Sequence, residues 1–190
     1  MLNYKEWFPT LIYHDNFDID GLEKKSYKLK KESNGRIVTN RGGWQSNDIL
    51  GNPLFLKLVD DIEQKALEVH DNIYQKNTGK FKVVGMWINI NSPKSYNVSH
   101  IHPDCDLCGN IYIKTSKNCG NIFFEDPRAI HRMNEPYNNI LMNRLTYLQV
   151  NYTPEDGKIL FFPPWIQHGT EPNMSDEDRI GIAFNMKYVI

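Results

Sequence analysis

The sequence predicts a mainly β fold (α+β): an antiparallel double sheet of the jelly-roll or cupin kind, with N-terminal helices packed on one face. Three observations predict it. From Lys80 onward the chain reads as strand-like segments, most of them parted by Gly, Pro or Asn clusters. Before Lys80 the strongest periodicity is helical, with Phe55, Leu58, Val59, Ile62, Ala66 and Val69 on one face. A hydrophobic content of 40%, with 12% aromatic, suits a chain that builds a core, and no apolar run nears the roughly twenty residues of a membrane span.

At 190 residues one domain, 1–190, is expected, with no internal repeat or linker. Residues 1–79 supply helical support and a loop, and residues 80–190 the β core. In order, Trp7–Tyr13 reads as a short apolar strand, and Asp18 or Asp20 can cap a charged helix running to about Lys31. Ser33-Asn-Gly35 breaks it, and Arg36–Thr39 reads as a brief strand. Asn40–Ser46 embeds Arg41 and Trp44 around two glycines, either as a turn with a packed Trp or as a loop over a substrate site. Asn52 then caps the main helix, Pro53 occupies its first position, and the Asn77-Thr-Gly79 stretch ends it. The strand candidates are Phe81–Asn91, Tyr96–His102, Gly109–Thr115, Asn121–Glu125, Leu141–Tyr152, Lys158–Phe162 and Arg179–Val189.

Lys+Arg 22 against Asp+Glu 23 gives a net charge of -1, which carries no nucleic-acid signature. The first residues lack the plan of a signal peptide, and three cysteines is an odd count. Free thiols in a reducing cytoplasm are therefore expected.

The chemistry concentrates in Val98–Asp106, where His100, His102, Asp104 and Asp106 alternate. In an extended chain alternate side chains share a face, so imidazoles and carboxylates form one ridge. His102-x-Asp104 with the distant His168 would make two His and one carboxylate, the facial triad of non-haem Fe(II) oxygenases. His100-x-His102 with His168 is the competing three-His set, since Pro103 can turn Asp104 away. Glu125 is a further carboxylate that could replace Asp104, whereas His14, His70 and His131 have no ligand-like neighbours. Cys105-x-x-Cys108 with Cys119 lacks the second pair that structural zinc favours.

Arg179 shares a strand face with Gly181, Ala183 and Asn185, so facing inward among small residues it leaves room for a dicarboxylate. The alternative is a surface Arg paired with Asp176 or Glu177. Tyr112 could join Arg179 on the same carboxylate or simply pack across strands, and Lys114 is the alternative partner.

In Gly42–Ser46, Trp87–Asn89, His100–Pro103 with Gly109–Ile113, Gly120–Arg128, and Leu160–His168 through Arg179–Asn185, the chain resembles the 2-oxoglutarate- and Fe(II)-dependent oxygenases. More closely, it resembles a group of short oxygenases, many virus-encoded, related to the prolyl 4-hydroxylases. The resemblance spans about residues 40–185 and implies a double-stranded β-helix with iron at one open end. It implies His102, Asp104 and His168 as ligands, with no catalytic residue beyond them, and Arg179 with Tyr112 on the distal carboxylate of 2-oxoglutarate. It further implies a dioxygenase that hydroxylates a C–H bond and releases succinate and CO2, with ascorbate as a supporting reductant. Its substrate would be a peptide, protein or small molecule, with peptidyl proline favoured by kinship, and a virus-encoded chain would act in the host cytoplasm. Two departures stand out. Gly181 occupies a position that is often Ser or Thr, so one cosubstrate hydrogen bond must come from elsewhere. The position of Asp104 is not uniformly acidic in the close group, which keeps the three-His set open. That set would suit a cupin-like metalloprotein, either a cofactor-independent dioxygenase or a binding module without turnover.

Overall fold

The computed structural model describes residues 5, 7–76, 78–128 and 148–190. Its framework is a six-stranded antiparallel sheet, ordered β1 (Tyr13–Asn16), β9 (Lys158–Phe162), β6 (Leu107–Lys114), β11 (Arg179–Val189), β4 (Lys80–Asn91) and β3 (Trp44–Gln45). A three-stranded sheet of β10 (His168–Thr170), β7 (Ile122–Glu125) and β8 (Gln149–Tyr152) faces it. The small pair β2 (Asn40–Arg41) and β5 (Tyr96–Asn97) lies at one end. This is the predicted mainly β, rolled double sheet.

Strand alternation divides the large sheet into two faces. Ile180, Ile182, Phe184 and Met186 of β11 join Ile88, Ile90, Ile111, Ile159 and Phe161 in one core. The helices α1 (Leu22–Glu32) and α2 (Leu56–Ile73) cover that core, with Leu58, Ile62, Ala66 and Val69 supplying the α2 stripe. On the other face Cys108, Tyr112, Leu160 and Phe162 meet Ile122 and Phe124 of the small sheet inside the roll. The opposite-facing residues of β11, Arg179, Gly181 and Ala183, line a pocket within that roll.

The Asn52 cap is present: its side chain accepts from Leu54 N–H at 3.0 Å. One 3-10 turn, Pro53–Phe55, precedes α2. α1 has Gly21, not an aspartate, at its N-cap, while Asp18 turns its carboxylate to Asp20 N–H.

Several expected strands are shorter. Trp7–Ile12 is not a strand; Trp7 and Phe8 are exposed, and pairing begins at Tyr13. Arg36–Thr39 makes only a single bridge, Arg36 to Gln45. Tyr96–His102 pairs at Tyr96–Asn97 and again only at His100, opposite His168. Of Leu141–Tyr152, Gln149–Tyr152 forms β8; residues 141–147, like His131, lie outside the described residues. Trp44 packs against the helical core and donates from Nε1 to Ser33 O at 3.0 Å, so the Asn40–Ser46 stretch holds a packed Trp. No helix among the described residues is long and apolar enough to cross a membrane.

Candidate active site

Three histidines converge at one end of the roll. His100 and His168 exchange both backbone hydrogen bonds, at 2.9 and 3.0 Å, which sets their side chains next to each other. Two residues on, His102 N–H reaches Pro164 O at 3.0 Å, bringing its ring to the same spot. One imidazole nitrogen from each of His100, His102 and His168 lies within 4.8 Å of the other two.

Each ring is oriented from behind. His100 Nδ1 lies 2.8 Å from Val98 O, and His168 Nδ1 lies 2.9 Å from Ile166 O. A carbonyl only accepts, so both Nδ1 atoms carry the proton and both Nε2 atoms present lone pairs. His102 Nδ1 is 2.6 Å from Asn185 Oδ1, which assigns it the same tautomer. Burial pushes the pKa of all three down, His102 to about 4 and His168 to about 3, so the rings are neutral at pH 7.

His100 Nε2 and His102 Nε2 are 3.1 Å apart. Two lone pairs at that distance repel unless a cation lies between them. Adjacent ligands of an ion with bonds of about 2.1 Å are separated by about 3.0 Å, so the donor set fits a divalent transition metal.

Asp104 is outside this cluster, contrary to the His-x-Asp expectation. It is exposed, and its φ of 62° puts it in the left-handed region, so the alternation His100, His102 does not continue through Pro103 to Asp104. Glu125 is also outside; its Oε1 accepts from Ser99 Oγ at 2.7 Å. The structure therefore gathers the three-His set.

The histidines share a pocket with Arg179, Tyr112, Asn89 and Asn110. Arg179 is 2% exposed, not a surface residue paired with Asp176 or Glu177. Its Nη1 donates to the carbonyls of Cys119, Gly120 and Glu171, and Nη2 donates to Thr170 Oγ1 at 2.9 Å. A guanidinium has five N–H donors. Nε–H and one Nη2–H are thus left without a partner among the described residues. Tyr112 is buried beside it, its pKa raised by desolvation, and its hydroxyl also has no protein partner among them. Asn89 Oδ1 is buried and unpaired as well. Asn89 Oδ1 only accepts, so the inward donors are the spare N–H groups of Arg179 and the Tyr112 hydroxyl, an arrangement able to receive a carboxylate.

Lys114 does not line this pocket. The β6–β11 register slips between Ile180 and Gly181, so Tyr112 opposes inward-facing Gly181 while Lys114 opposes helix-facing Ile180. There it pairs with Glu177 at 3.2 Å and Glu23 of α1 at 3.4 Å. Asn89, Asn110, Thr170 and Asn185 were not singled out from the sequence. The period-2 pattern of β4, β6 and β11 carried the signal for three of them, since each alternates with buried isoleucine or phenylalanine.

A family model described as "Putative 2OG-Fe(II) oxygenase" matches residues 85–185, more than half of the chain and nearly all of this pocket. The chain belongs to the 2OG-Fe(II) oxygenase family. It is accordingly a 2-oxoglutarate- and Fe(II)-dependent oxygenase, with Fe(II) as its metal and 2-oxoglutarate as its cosubstrate. Among solved structures, it is similar to a prolyl-4-hydroxylase from Pseudomonas putida at 10% identity and a TM-score of 0.64, covering 94% of this chain and 92% of that one. The viral collagen prolyl hydroxylase of Paramecium Bursaria Chlorella virus-1, solved with 2OG, matches at 13% identity and a TM-score of 0.59, covering 94% and 96%. A 2OG-Fe(II) oxygenase family oxidoreductase from Burkholderia pseudomallei matches at 12% identity and a TM-score of 0.51, covering 70% of this chain. This chain spans 56% of that protein's length. At such identities the likeness shows the fold, a double-stranded β-helix. No curated protein matches the sequence.

Proposed function

We propose that this oxygenase hydroxylates a C–H bond in the manner of the prolyl hydroxylases, with His100, His102 and His168 holding Fe(II) and Arg179 with Tyr112 holding the distal carboxylate of 2-oxoglutarate. The observation that carries the reading is the placement, in one pocket, of three bare Nε2 atoms and a half-satisfied guanidinium. When bound, iron and 2-oxoglutarate would supply, with dioxygen as the oxidant, the oxidation of an unactivated C–H bond: one oxygen atom would enter the substrate as a hydroxyl and the other the succinate that leaves with CO2.

The chain's own residues do the rest. Nε–H and the spare Nη2–H of Arg179 offer a fork to the carboxylate, and Tyr112 Oη–H offers a third donor. The Cys119, Gly120 and Glu171 carbonyls hold the guanidinium, so it is positioned before any ligand arrives. At Gly181 the neighbouring space is taken by the Asn110 side chain; a Cβ there would stand 2.8 Å from Asn110 Oδ1. Asn110 therefore stands where the missing hydroxyl of a Ser or Thr would act, and supplies an amide to the cosubstrate. Phe162 and Ile122 line the pocket between the two polar ends and keep water from it.

Turnover tests the reading. Purified protein is given Fe(II), ascorbate and 2-oxoglutarate, with and without proline-containing peptides, and succinate is measured. Succinate release that rises with a peptide supports the reading. Metal-loaded protein that binds no 2-oxoglutarate and forms no succinate under any of these conditions overturns it. Peptidyl proline is the first substrate class because two structurally similar proteins are prolyl hydroxylases.

A further inference from the structure

Beside His102 lies a second group of metal-ligating side chains that the reaction does not use. Cys105 and Cys108 are free thiols, Cys108 fully buried and Cys105 9% exposed. Their sulfurs and a ring nitrogen of His102 all lie within 4.8 Å of one another. We propose that Cys105, Cys108 and His102 form a second metal site, for a thiophilic divalent cation of the Zn(II) type, which draws His102 away from the iron set.

Spacing, geometry and chemistry each support the site. A Cys-x-x-Cys pair is the repeating half of zinc knuckles. Zn–S bonds of about 2.3 Å and Zn–N bonds of about 2.1 Å at tetrahedral angles put ligand atoms roughly 3.5–3.8 Å apart. The present grouping, with its atoms within 4.8 Å of one another, must contract by up to about 1 Å to reach that spacing. The left-handed backbone at Asp104, φ 62°, folds the chain back so that both thiols come to the side of His102. The contacts holding the sulfurs now are weak: Cys105 Sγ to His102 O at 3.6 Å, and Cys108 Sγ to Phe162 O at 3.4 Å. Cys119 takes no part; it lies at the far end, where its carbonyl accepts from Arg179.

Thiolates select Zn(II) over Fe(II), Mg(II) or Mn(II) by softness. A neutral imidazole has one lone pair, so His102 serves one cation at a time. Binding at the thiols would release their two protons to solvent and leave His100 and His168 without the third ligand. That competition, unlike the thiol site itself, rests on the reading of His102 as an iron ligand.

The test uses the reduced full chain under anaerobic conditions, with Co(II) as the spectroscopic probe and Zn(II) as competitor. The parent and His168→Ala are expected to show the near-ultraviolet sulfur-to-cobalt charge-transfer band. Cys105→Ser/Cys108→Ser is expected to lose the band while still binding one equivalent of Co(II) at the histidines. His102→Ala is expected to weaken both sites, and Zn(II) is expected to displace Fe(II) from the parent more effectively than from the double variant. Because Cys108 is fully buried, Cys105→Ser alone, at the rim, serves as the second variant and should also abolish the band. Absence of the band in both parent and His168→Ala overturns the proposal and leaves the three-His reading standing. A band that survives Cys105→Ser overturns it equally.

Discussion

His102 Nδ1 and Asn185 Oδ1 lie 2.6 Å apart, and among the described residues this is the one place where a side chain, not a backbone carbonyl, orients a histidine of the cluster from its Nδ1. It ties the cluster to β11, whose opposite end carries Arg179 on the same face. One strand thus fixes both ends of the pocket. Removing such an orienting partner typically lowers metal affinity about 10–100-fold. Asn185→Ala is therefore expected to weaken Fe(II) or Mn(II) binding by that order, measured by equilibrium titration. Asn185→Asp keeps an acceptor at the same position and should retain affinity.

The choice of ligands has its own test. His100→Ala should abolish stoichiometric metal binding, and His168→Ala likewise. Asp104→Ala should leave metal content unchanged, because that side chain faces solvent in a turn. Metal loss in Asp104→Ala with retention in His100→Ala would restore the His-x-Asp set.

The metal-free protein should be acid-sensitive in a defined window. An unfolded histidine titrates near 6.5, whereas burial holds His102 at about 4 and His168 at about 3. Between those values the unfolded chain binds more protons than the folded one, so stability falls as pH falls. The contribution is complete above about pH 6.5 and declines by roughly 1.4 kcal/mol per pH unit for each such histidine below it. Thermal midpoints of the metal-free protein should drop between about pH 6.5 and 4.5, and the drop should shrink in His168→Asn. An equal slope in that variant would contradict the account.

The roll also makes a packing prediction remote from the metal. A Cβ on Gly109 would lie 2.3 Å from Leu160 O and 2.4 Å from the Phe184 ring. Gly109→Ala must push β6 away from β9 or displace a fully buried phenylalanine, a cost of about 1–3 kcal/mol. Chemical denaturation should show it as a lower midpoint. An unchanged midpoint would mean that β9 is less tightly held than the structure indicates.

Much of this architecture was legible because periodicity carries it. The α2 stripe and the alternation of Arg179–Asn185 each have one physical solution, and both appear where the pattern puts them. The placements of Asp104 and Lys114 differ from the alternating pattern for one reason: each lies past a local break in the period of two. Asp104 follows a proline into the left-handed region, a turn that Pro103 signals without fixing its direction, whereas Lys114 lies beyond a register slip that no residue type marks. Asn185 was placed on the correct strand face, but its partner is 83 residues away in sequence, a relation that only folding creates.

The central claim is that one pocket holds metal on three histidines and a dicarboxylate on Arg179, and it is tested most directly by 2-oxoglutarate binding to metal-loaded Arg179→Ala. Two charge-assisted hydrogen bonds of about 1.5–3 kcal/mol each are lost, so affinity should fall by on the order of a hundredfold or more. Fe(II) content should be unchanged, and the weak visible charge-transfer band of the anaerobic Fe(II) complex should disappear. Arg179→Lys should restore it only in part, because an ammonium lacks the planar fork. An Arg179→Ala protein that binds Fe(II) and still binds 2-oxoglutarate as tightly as the parent would contradict the account.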